Sequence, residues 1–180
     1  MTLTLGTRSV SILRPMRRSL VLVALLALVL PLAGYAAARA GEGTLTVKDG
    51  RGKVSVQGKG VLLGRLDRGS IEVVDLSPDD AFDPIVFGDD APVRLVGENG
   101  LRYAGRNMRF RVIGGKYGIV IRGSGIDLSV VANGTSTLEG ESDQPGFYSL
   151  DGDDCRNGSA DCKLLPEKQR TIKLGSGDRG

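Results

Sequence analysis

Residues 41–174 predict a single all-β domain, an antiparallel β-sandwich or barrel of about 10–12 short strands, with a β-solenoid as the alternative. Three observations predict it. Short runs of alternating apolar and polar residues recur at intervals of about ten residues with turn signals between them. No stretch beyond residue 40 keeps a helical period. Glycine, the residue that supplies turns and bends, is concentrated here, with 25 of the chain's 27 glycines after residue 40.

Residues 1–40 are of another kind. Met1 to Arg18 carries Arg8, Arg14, Arg17 and Arg18 and no acid, and Leu20 to Ala38 is uncharged. The segment closes on Ala36-Ala37-Ala38-Arg39-Ala40. A basic start, an apolar middle and small residues at the end form the pattern of an export signal, and Pro31 and Gly34 end the apolar helix near the cleavage site. The same stretch as a helix would span roughly 28 Å, close to the hydrocarbon thickness. The rival reading is therefore a retained anchor, with residues 20–38 in the membrane. Either way an N-terminal hydrophobic helix precedes the domain, and the protein is expected outside the cytoplasm, secreted or membrane-anchored.

The strands follow in order. Gly43 to Val47, Gly52 to Val56, Val61 to Leu66 and Gly69 to Val73 alternate, and Ile85 to Phe87 and Val93 to Val96 are shorter runs. Met108 to Ile113 and Tyr117 to Arg122 flank Gly114-Gly115, which reads as a two-residue hairpin turn. Val112 would then face Tyr117, Phe110 face Ile119 and Met108 face Ile121, all on one apolar side, with Arg109 and Arg111 on the other. Ile126, Leu128 and Val130 continue the sorting, with Asp127 and Ser129 opposite. Asn133-Gly134 reads as a bulged turn that brings Leu138 opposite Val130. Thr135 to Leu138, Phe147 to Leu150 and Thr171 to Leu174 complete the series, and residues 175–180 read as a flexible tail. Glycine, any residue, aliphatic, any residue, aliphatic recurs at Gly43, Gly52 and Gly69. Its spacings of nine and seventeen are too uneven for a solenoid of steady coil length, which favours a sandwich or barrel.

Phe110-Arg-Val-Ile-Gly-Gly-Lys-Tyr117 followed by Arg122-Gly-Ser-Gly-Ile-Asp-Leu-Ser-Val-Val131 resembles a group of small, functionally uncharacterised, glycine-rich bacterial proteins. These are secreted or membrane-anchored and predicted to be all-β. The likeness covers residues 43–140 and rests on glycine and aliphatic placement. It implies a fold class and an envelope location and carries over no catalytic residue.

Cys155 and Cys162 stand in an Asp/Gly/Asn/Ser loop with six residues between them. In an exported chain such a pair predicts a local disulfide. The charge balance needs the leader removed. Residues 1–40 hold five of the 24 Lys+Arg and none of the 21 Asp+Glu, so residues 41–180 carry 19 bases and 21 acids, a balance of −2. A basic overall charge thus gives no support to nucleic-acid binding. Charge is nevertheless segregated: Gly69 to Val93 holds seven acids and no base, whereas Arg94 to Arg122 holds seven bases and Glu98 alone. Arg109, Arg111 and Arg122 are the candidate anion-binding face, suited to envelope polymer, lipid headgroups or another envelope protein.

Asp153, Asn157 and Asp161 form a weak calcium candidate. They have the early spacing of an EF-hand loop, but Cys155 occupies its third position and Leu164 replaces the closing Glu. The absence of His removes Ser-His-Asp and Cys-His catalysis and His-ligated zinc. Gly123-Ser124-Gly125 lacks a following helix and reads as a turn rather than a dinucleotide loop, so no cofactor is expected. With few aromatic platforms, a lectin is disfavoured. The expectation is a non-enzymatic structural or binding module of the cell envelope. The alternatives are a calcium-stabilised adhesion or accessory module and a carboxylate-based hydrolase of envelope glycan.

Overall fold

The computed structural model describes residues 43–77, 84–89, 92–141, 143–155 and 161–175. The expected N-terminal helix, Asn157 and the tail from residue 176 lie outside them. The described residues are all-β and contain no α-helix. Seven strands are hydrogen-bonded into one antiparallel sheet: β1 (Gly43–Asp75), β2 (Ile85–Asp89), β3 (Val93–Val96), β4 (Gly100–Gly140), β5 (Phe147–Ser149), β6 (Lys163–Leu164) and β7 (Arg170–Leu174).

The expected 10–12 short strands are therefore corrected to two long strands and five short ones. β1 runs 33 residues and β4 runs 41, and most of the short runs read from the sequence are straight segments of these two. The central part of β1 pairs with β4 twice, once on each edge. Leu62 has Val112 on one side and Val130 on the other; Val54 has Ile121 and Leu138. Crossing the sheet from Leu45 to Val130 leads on to Leu62, and from Val54 through Ile121 to Ile71. Each two-strand step thus advances seventeen residues along β1. The long pair is a ribbon coiled on itself.

The coil gathers its segments into two sets. In one, residues 43–50, 126–132, 61–66, 108–113 and 85–87 lie side by side; in the other, 133–140, 52–59, 117–124, 68–75, 100–106 and 93–96 do. Both sets end in edge strands, β5–β6 and β2 for the first, β7 and β3 for the second, so the sheet is not closed into a barrel. Buried residues from both sets form one core, including Leu45, Leu62, Met108, Phe110 and Ile126 from the first and Val54, Ile71, Tyr117, Ile119 and Leu138 from the second. The inward side switches parity along β1: odd at Leu45 and Val47, even from Val54 to Leu66, odd again at Ile71 and Val73. A coil length that is an odd number needs such a switch, because side chains alternate with period two. The first falls at the irregular pairing between Val47 and Gly50, where Asp49 has φ +49°.

Glycines mark the bends. Gly140, Gly52, Gly123, Gly69 and Gly105 pair successively, forming a seam straight across five strand segments. A Cβ on Gly123 would strike the Arg68 carbonyl oxygen and one on Gly69 the Arg122 carbonyl oxygen, so the strands close up here only without side chains.

Two expected turns are corrected. At Gly114-Gly115 the chain does not reverse: both residues take positive φ, 77° and 62°, but β4 bends and runs on. Val112 pairs with Leu62 rather than Tyr117, and Phe110 with Gly64 rather than Ile119. The six apolar residues still share the core, because the bend carries them from one set to the other. Asn133-Gly134 likewise does not reverse the chain. Val130 pairs with Leu45 and Leu62, and Leu138 with Val54. Positive-φ glycine serves a hairpin turn and a bend equally, and this coil uses it as a corner.

Candidate functional site

The outward side of the first set carries the densest polar network among the described residues. Asp127 stands between Lys48 and Arg65, seventeen residues apart and so aligned by the coil. Its Oδ2 accepts from Lys48 Nζ at 2.6 Å and Arg65 Nε at 2.9 Å, while Oδ1 accepts from the Asp49 backbone N–H at 2.9 Å. Lys48 and Asp127 are mostly covered, with 14% and 20% of their side chains exposed. Burial pushes the Asp127 carboxyl up, but the Asp49 N–H, the Lys48 ammonium and the Arg65 guanidinium outweigh it and hold the group below its ordinary value. The network borders a shallow hollow of about 480 Å³ whose wall includes Thr46, Leu63, Arg109 and Asp154.

Arg109 and Arg111 continue this side across β4. Arg109 pairs with Arg65 and Phe87, and Arg111 with Leu63 and Ile85. Both are exposed, and neither forms an ion pair among the described residues. Arg122 is not brought to them. It pairs with Lys53 and Ser70 in the second set, so the three arginines do not form one face. The shared basic stretch of sequence is divided by the bend at Gly114-Gly115.

No protein-family model, curated protein or solved structure matches this chain.

The disulfide is present: Cys155 and Cys162 are bonded, with Cα atoms 5.7 Å apart. Of the calcium candidates, Asp153 is half-buried and Asp161 exposed, and the described residues contain no group of three His, Cys, Asp or Glu placed to hold a metal. A larger hollow of about 890 Å³ lies where the bend at Gly125 meets the segment from Asp143 to Phe147; Asp49, Asp67, Asp143 and Glu167 line it against Arg51. In the core, burial pushes the Tyr117 phenol up to about 12, so it stays neutral.

Sequence reasoning placed Asp127 on the outward side but missed Lys48 and Arg65 as its partners. The signal was the seventeen-residue spacing of Gly52 and Gly69, which is the coil length and also separates Lys48 from Arg65.

Proposed function

We propose that this protein is a non-enzymatic, exported module of the cell envelope that binds an anionic surface through the outward side of its first set of segments. The observation that carries this reading is the inequality among the cations. Lys48 and Arg65 are ion-paired with Asp127, whereas Arg109 and Arg111 are exposed beside them without ion pairs among the described residues. Such uncommitted guanidiniums, spaced two residues apart on one side of a strand, suit phosphate or carboxylate groups. The disulfide agrees with an oxidising compartment, as does the export pattern of residues 1–40. Charge reversal of both, R109E/R111E, is expected to reduce retention on anionic envelope material in a pull-down. Unchanged retention with an intact fold would discard the surface.

A further inference from the structure

The arginines are not alone on this side. Phe87 pairs with Arg109 and Leu63 with Arg111, and residues paired across antiparallel strands point the same way. Ile113 lies two residues beyond Arg111 on the same strand side. Phe87 is 69% exposed, Leu63 47% and Ile113 46%. Aliphatic and aromatic side chains are thus interleaved with exposed guanidiniums over three neighbouring segments. The outward side of the second set is different. It carries Lys53, Lys59, Lys116 and Arg122, and none of the exposed large apolar residues lies within 52–59, 68–75, 100–106, 117–124 or 133–140; Val93 and Leu95 of β3 are exposed, but they pair with Tyr103 and Leu101 on the core side. A soluble polyanion needs only cations, which the second set also supplies. Apolar side chains beside arginines match a surface with an anionic layer over hydrocarbon.

We infer that the Arg109/Arg111 side docks on the surface of an anionic lipid bilayer, with Phe87, Leu63 and Ile113 entering the headgroup–acyl boundary. This rests on the anionic-surface reading above and names its partner. The arginines meet lipid phosphates, and their strand neighbours supply the apolar area that a water-soluble polymer would leave wet.

The chain contains no Trp, so single-Trp variants of the full-length protein report local environment without background. The variants are F87W, I113W and, on the outward side of the second set, Q57W, each mixed with 1:1 phosphatidylglycerol/phosphatidylcholine vesicles. Emission from F87W and I113W is expected to shift to the blue and to be quenched by brominated acyl chains, while Q57W stays unchanged. R109E/R111E in the F87W background should weaken vesicle binding at least about 30-fold, since each cation near an anionic surface is worth about a factor of five. Q57W shows whether the change in environment is confined to the Arg109/Arg111 side or is shared by the whole domain. Unshifted F87W and I113W, or a Q57W shift as large as theirs, would overturn the inference. If R109E/R111E then still lowers retention on envelope material, the partner is a lipid-free anionic polymer and the broader reading stands. If retention is also unchanged, both fall.

Discussion

Asp127 illustrates how one carboxylate decides which cations remain available. It is held charged by three donors, so the aspartate's folded-state value is lower than its unfolded one. A depressed value contributes stability that is complete above the ordinary 3.8 and is lost as pH falls through the lower folded value. D127N should therefore unfold less steeply with acid below pH 3.8 than the parent protein, a difference read from Tm measured against pH. At neutral pH the same variant should cost about 1–2 kcal/mol, because Lys48 is mostly covered and loses its closer carboxylate, keeping only Asp49 at 3.5 Å. It should also free Arg65, which pairs directly with Arg109 in the sheet, and so strengthen binding to anionic surfaces. At this scale much was legible: the alternation placed Arg109, Arg111 and Asp127 outward from sequence alone. The pairing of Lys48 and Arg65 with Asp127 was not, because it depends on which segments become neighbours.

The strands are governed by their corners. A side chain at Gly123 would collide with the Arg68 carbonyl oxygen on the paired strand, and the backbone there has φ +147°. G123A is expected to lose about 2–4 kcal/mol in urea unfolding. G118A is the contrast: its new methyl would meet only the Gln57 and Leu76 side chains at 3.7 and 3.8 Å. It should be neutral or stabilise by up to about 1 kcal/mol. The loop closed by Cys155 and Cys162 is short, and replacing both by Ser should cost about 2.5 kcal/mol in the same measurement. Strand segments and their inward residues were legible in the sequence, since period-two alternation is local. Their connectivity was not. Gly114-Gly115 satisfies the conformational demand of a hairpin and of a bend equally, and only the partners of Val112 and Tyr117 distinguish them.

At the scale of the whole molecule, the structure depends on pairings remote in sequence. Val74 pairs with Gly100 at the near end of the ribbon and Gly43 with Ala132 at the far end, so loop closure precedes most of the stabilising contacts. Refolding is expected in the millisecond-to-second range, which stopped-flow tyrosine fluorescence would measure; microsecond folding would contradict it. The all-β class was legible because it follows from alternation and glycine content. The coil was not, for its only trace was a spacing that looked like irregularity. That spacing also limits how the protein can change size. Because every interior residue of the ribbon meets neighbours on two successive passes, a single insertion spoils two registers at once. Lengthening must instead proceed like adding a full thread to a screw, seventeen residues in β1 together with seventeen or eighteen in β4.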